Sequence, residues 1–495
     1  MENKPEPPSS QPKEGVVFEK PSQPGTSPPE VNANAIPEEY LTDEDLYPAQ
    51  TDSSGNPVST LKKKTPLIVV LVVGVIVFVI LLIVLSRLFA KSSSVSDKPV
   101  KLTFWGVWQS EQVMEELIKD YQKDNPNVQI DYLLMDAKDS YRERILERTR
   151  SGTGPDIFRF HNTWVNSIKE LFAPAPTTVF TVEDFAKIYY PVMVKDLTMD
   201  DRVIGVPYHL DGLVLVYNDT LLKNAGINQA PADWETLIDV SKQITVRDEA
   251  GQIVTAGIAL GAAENISHFS DIIGLMFLQN NVDLKNLENN DNALTVIDTY
   301  TNFVLAADNV WSESFDNSIN AFAEEKVAMI LAPVWEIEVV RHLNPDLDLK
   351  VARVPQIRGG SQKNLANYWA DGVSRGSQNQ QQAWDFLKFL SEKEQQGRMF
   401  ELEVKSGRMF GNIYPRQDMA ELLVDDQYLA PLLKDANILD TLPLVSRTYD
   451  NGVNDGIVEY YLKDSLNSIL LGTSVDEAVR NLGLGVTQVL EKYGY

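Results

Sequence analysis

The chain has 495 residues, a formal net charge of −26, no cysteine and four histidines. The missing cysteine excludes disulfides, thiolate metal sites, thiol nucleophiles and a lipid anchor on an N-terminal cysteine. So large an excess of acid argues against nucleic acid as a partner, because phosphate contacts need a positive surface.

The chain divides into three unlike segments. Residues 1–65 hold 11 of the 26 prolines and almost no apolar run. Such a stretch buries too little surface to offset its ordering entropy, and it reads as a disordered, Pro-rich tail. Leu67 to Leu85 then runs for 19 residues without a polar side chain. At 1.5 Å per residue it spans about 30 Å, which predicts a transmembrane helix over 66–88. Lys62, Lys63 and Lys64 flank it closely and favour a cytoplasmic N-terminus. A short linker, 89–98, leads to the third segment, 99–495, whose length calls for two lobes.

That segment opens with Val100 to Trp105, a strand pattern. Val113, Met114, Leu117, Ile118 and Tyr121 follow at helical spacing, Asn125-Pro126 stops the helix, and Val128, Ile130 and Tyr132 alternate as a second strand. Strand, helix and strand make a βαβ unit and imply a parallel sheet. Asp156-Ile157-Phe158 after a Gly/Pro turn and Leu213 to Tyr217 read as further strands, and Trp384 to Leu390 as an amphipathic helix. The class is α/β. In such sheets ligands sit beyond the carboxyl ends of strands.

Motifs for bond chemistry are absent or weak. His161, His209, His268 and His342 form no metal-spaced pair. Gly372-Val373-Ser374-Arg375-Gly376 fits a nucleophile elbow, but no histidine follows Ser374. Aromatic and polar residues stand at strand ends instead: Trp105 and Trp108; Phe160, His161, Asn162 and Trp164; Tyr208, His209 and Asp211; Trp335; Tyr368, Trp369 and Asp371. Aromatic faces cover the C–H faces of sugar rings, and carboxylates and amides pair with hydroxyls. The set reads as a sugar pocket, although each tryptophan taken alone also suits a core.

Several stretches in order resemble one family. They are KLTFWGVW with NPNVQIDY, GPDIF, VIGVPYHLDGLVLVYNDTLLKNAGI, PADWETL, FAEEKVAMILAPVW and ADGVSRGSQNQQQAWDFLKFLSEKEQQ. Together, over about Lys101 to Ile413, they resemble the extracellular solute-binding proteins of ABC importers, the sugar-binding group that includes maltose-binding protein. The resemblance implies a two-lobed periplasmic-binding-protein type II fold, with lobe one about 99–210 and 372–405 and lobe two about 212–366 and 412–495. The hinge would pass near Asp211-Gly212 and Tyr368 to Gly372. It also implies a binding domain outside the cytoplasm, a monomer that delivers a mono- or oligosaccharide to ABC permease subunits, and no catalysis and no cofactor. Where relatives are usually held by a lipid on an N-terminal cysteine, this chain departs from the pattern, and the expected transmembrane helix takes the lipid's place as a single-pass anchor. A calcium site among the many aspartates stays open.

The same resemblance carries ligand contact onto Trp108, Phe160, Asn162, Tyr208, Asp211, Trp335, Trp369, Asp371, Arg408 and Tyr414, the last two in the loop SGRMFGNIYPR. Asn218 and Asp233 read as helix caps. The alternatives are the same fold binding a peptide, polyamine or glycerol phosphate, the same fold serving as a ligand-sensing partner, and an anchored glycosidase with two facing carboxylates.

Overall fold

A computed structural model describes residues 99–138 and 140–495. The expected tail, transmembrane helix and linker lie outside the described residues. Among those described, no helix is long and apolar enough to cross a membrane.

β1 (Val100–Gly106) buries Val100, Leu102, Phe104 and Gly106 on one face. Ser110 then caps the helix Glu111–Asp124, its Oγ accepting from the Val113 N–H, and the expected stripe from Val113 to Tyr121 faces the core. β2 (Val128–Leu134) returns parallel to β1, with Val100 opposite Val128 and Gly106 opposite Leu134. β3 (Ile157–His161) lies on the other side of β1 and is wholly buried. A small hairpin, β4 (Thr198–Met199) and β5 (Arg202–Val203), precedes β6 (Val206–Pro207).

The second half starts with β7 (Leu213–Asn218). Asn218 caps the following short helix by accepting from the Leu221 N–H, and Asp233 caps Trp234–Ile244 by accepting from Thr236. Then come β8 (Val246–Arg247), β9 (Ile253–Ile258), β10 (Val327–Pro333) and β11 (Leu349–Ala352). β12 (Asn364–Leu365) and β13 (Trp369–Val373) follow, and β14 (Leu439–Asp440) pairs with β12 in parallel.

Two five-stranded sheets result, ordered β2-β1-β3-β13-β6 and β11-β7-β10-β9-β8. Both are mixed, where the sequence pattern suggests parallel pairing alone. β13 runs antiparallel to β3 and β6, and β7 antiparallel to β10 and β11. The reason is connectivity: β13 enters the first sheet from the other half of the molecule rather than through a βα crossover, so right-handed crossover geometry does not fix its direction.

The chain leaves the first sheet after β6 and enters the second at β7. It comes back between β11 and β13. These two passages touch: the Asn367 N–H donates to the Asp211 carbonyl at 3.1 Å, and Gly212 bridges Ala366. Gly212 must be glycine, since a Cβ there would meet the Leu365 carbonyl oxygen at 2.7 Å. Residues beyond the expected lobe boundary at 412 still lean on the first half, where Arg416 bridges Tyr189 and the Ile413 carbonyl accepts from Leu210. The C-terminal helices Lys463–Leu470 and Val475–Lys492 pack on Asp291–Leu305.

Candidate binding site

A cavity of about 420 Å³ opens where the passages meet, and residues from both sheets line it. Trp108, Tyr208 and Trp369 come from the ends of the first sheet's strands, and Trp335 from the end of β10. Trp108 follows β1 in a tight turn, where the Gln109 N–H donates to the Val107 carbonyl at 2.9 Å and Trp108 itself has φ 70°. A bulky residue in the left-handed region is strained. The turn holds the indole 51% exposed, edge-on to Trp369 at 5.9 Å and 6.0 Å from Tyr449. Trp369 is itself anchored edge-on to His161 and Trp164, each at 5.2 Å.

Asp211 sits at the first passage. Its Oδ1 accepts from the N–H groups of Gly212 at 2.8 Å and Val334 at 3.3 Å. Burial pushes its carboxyl up to about 7, although those two donors pull the other way. His268 links the cavity wall to a buried chain: Nε2 meets Glu336 Oε1 at 2.9 Å and Nδ1 meets Ser446 Oγ at 3.0 Å. Burial works to lower His268, but the carboxylates of Asp271, 3.7 Å from Nδ1, and of Glu336 outweigh it and leave the imidazole above its usual value. Glu336 also takes an Arg447 N–H at 2.9 Å, and the Arg447 guanidinium lies 5.1 Å from the centre of the Trp335 ring. His209 lines the cavity with Nδ1 buried and without a protein partner among the described residues. Burial depresses it to about 3, so it is neutral, and a neutral imidazole can donate to or accept from a hydroxyl.

On the far wall the buried Glu403 gathers Tyr208 Oη at 3.0 Å, Asn412 Nδ2 at 2.6 Å and the Asn412 N–H at 2.7 Å. Arg408 lies 3.6 Å from Glu403 and 3.4 Å from Glu338, whose Oε1 also accepts from the Met409 N–H. Among the described residues no group of three or more His, Asp or Glu stands where it could hold a metal ion.

Six of the ten expected contact residues line this cavity: Trp108, Tyr208, Asp211, Trp335, Trp369 and Arg408. Four do not. Phe160 is fully buried against Phe158 and Phe172, because it points to the core face of β3. Asn162 is buried in a structural knot, donating to Asp196 and Thr441. Asp371 is held by Arg159 in a bidentate pair, with Nε at 2.8 Å and Nη2 at 2.9 Å. Tyr414 is buried, packed on Phe400.

Nine lining residues were not among the expected contacts: Lys138, His209, His268, Glu338, Asn367, Asn412, Ser446, Arg447 and Tyr449. Three of these come from one irregular loop. Buried Asp450 shapes it by accepting from the N–H groups of Gly452, Asn454 and Asp455, and Asp271 accepts from the Ser446 N–H. Its only sequence signal is a polar stretch between Pro443 and Gly452 with no helical or strand period.

A family model described as bacterial extracellular solute-binding protein matches residues 116–408. A binding protein of Brucella abortus is 21% identical over 287 residues, 57% of this chain and 68% of its own length. The galactooligosaccharide-binding protein of Bacillus subtilis is 19% identical over 342 residues, 63% of this chain and 73% of its own. Among solved structures, a sugar-binding protein of Xanthomonas citri superposes with a TM-score of 0.66 at 20% identity, over 79% of this chain and 98% of that one. At such identity the likeness speaks for the fold, an α/β architecture like that of the two-lobed sugar-binding proteins.

Proposed function

The chain belongs to the family of bacterial extracellular solute-binding proteins, and on that premise we propose that it captures a carbohydrate in this cavity and hands it to an ABC importer. The family is one of binding proteins, so the act is recognition and release without bond chemistry. The observation that carries the reading is the cavity's make-up. Trp369, Trp108 and Tyr449 form an aromatic row, Trp335 stands past the end of β10, and amides, two imidazoles and two carboxyls line the cavity with them. Flat apolar faces with interspersed donors and acceptors match the two kinds of surface on a sugar ring.

In this reading the two halves close on the solute about the passages at Asp211-Gly212 and near Asn367, and the closed form docks on a permease. Residues 66–88 anchor the domain at the outer face of the cell membrane, with the tail inside. Ser374 has no part in the act: it is buried in the first half, its N–H donating to the Asp156 carbonyl.

A thermal-shift screen tests the reading, with sugars set against amino acids, peptides, polyamines and glycerol phosphate. A solute at 100 times its dissociation constant adds about 2.7 kcal/mol. Unfolding entropy of about 2.1 cal/mol/K per residue over roughly 400 residues converts this to about 3 °C. A hit only among the non-sugars would refute the carbohydrate reading.

A further inference from the structure

We propose that the solute is an acidic saccharide, with a ring carboxylate held by Lys138 at the end of the aromatic row; this rests on the carbohydrate reading above and narrows it. The chain is strongly acidic as a whole, yet Lys138, Arg408 and Arg447 reach this cavity from three separate segments. Among the described residues only Asp211 and Glu338 oppose them on its wall.

The partners of these groups decide what charge is left over. Glu338 is engaged by Arg408 and by the N–H groups of Met409 and Phe410. Arg408 also faces Glu403. Arg447 is matched by Glu336. Asp211 gives its Oδ1 to two backbone donors, and burial keeps much of its carboxyl protonated near neutral pH. Lys138 is left. Among the described residues no carboxylate pairs with its ammonium, which stands 5.9 Å from the centre of the Tyr449 ring. Its own N–H is fixed by Asp136 Oδ1 at 2.9 Å, which sets the turn and leaves the side chain to the cavity.

Tyr449 is also the ring beside Trp108. A sugar lying along Trp108 and Trp369 therefore ends at a cation. A single unmatched ammonium suits a singly charged carboxylate better than a phosphate, whose two charges would need a second unmatched cation.

The test titrates the full-length protein in detergent with disaccharides of galacturonate, glucuronate and mannuronate. Each is paired with its carboxyl-reduced counterpart, and glucose 6-phosphate and a neutral sugar library complete the set. The expected result is that at least one acidic disaccharide binds tenfold or more tightly than its reduced counterpart. That ratio falls toward one in Lys138→Met, and it shrinks as sodium chloride rises from 20 to 500 mM. Ratios near one for every pair, with a neutral sugar bound, overturn this inference and leave the carbohydrate reading standing. Preference for the phosphate also overturns it. No binding by any saccharide overturns both.

Discussion

Replacing Asp211 by asparagine should raise stability at pH 8 and leave it unchanged at pH 4. Asparagine keeps an Oδ1 to accept from Gly212 and Val334, so the hydrogen bonds that tie the first passage to the end of β10 survive. The variant differs in one respect: it cannot ionise. In the unfolded chain an aspartate titrates near 3.9, whereas burial lifts Asp211 to about 7. Between those values the folded state binds more protons than the unfolded state. Its stability therefore falls as pH rises from about 4 to about 7, and is flat on either side. Three units at about 1.36 kcal/mol each come to about 4 kcal/mol. With an unfolding entropy near 0.8 kcal/mol/K for roughly 400 residues, the gap is about 5 °C in melting temperature. Titrating groups other than His268 and Asp271, which feel the Asp211 charge, act on both proteins alike, so the difference between their curves reports Asp211 and its coupling to those two. The assay is thermal unfolding by circular dichroism at half-unit steps from pH 4 to pH 8. Curves that stay parallel across this range, or an asparagine variant less stable at pH 8, would refute the burial argument.

Other substitutions separate structure from binding. Asp371→Asn removes the charge facing Arg159, which is 1% exposed, and should cost about 3–5 kcal/mol of stability; chemical denaturation measures the loss, and a cost under 1 kcal/mol contradicts the pairing. Trp108→Gly relieves a left-handed backbone that costs a bulky residue about 1–3 kcal/mol. It should leave stability unchanged or raise it by up to about 1 kcal/mol while weakening sugar binding about tenfold; calorimetry and denaturation on the same sample check both, and a clear loss of stability would count against the strain.

The sequence made legible what periodicity and caps encode. Val100 to Tyr132 could be read as strand, helix and strand because apolar residues recur at two and then three-to-four positions, and Asn218 and Asp233 carry cap chemistry in their side chains. Residues at strand ends split by the direction of their side chains. Phe160 and Asp371 lie within strands of the first sheet and turn toward core and ion pair, while Trp108 and Trp335 lie just past strand ends and reach the cavity. A shift of one residue in register exchanges these fates, and the sequence alone does not show it. The Asp371 carboxylate could be seen, but its partner lies 212 positions away at Arg159. The loop that supplies Ser446, Arg447 and Tyr449 has no period at all. Its shape comes from Asp450 and from Asp271, the latter 175 positions distant, which no local pattern reports.

The most direct test of carbohydrate capture is isothermal titration calorimetry of the strongest sugar from the thermal-shift screen against the native chain and Trp335→Ala. Capture by stacking in the cavity predicts saturable one-to-one binding in the native chain and about tenfold or greater weakening in the variant, with melting temperatures of the two free proteins within a few degrees. Equal affinity in both proteins, or no saturable heat with any sugar from a folded sample, would contradict it.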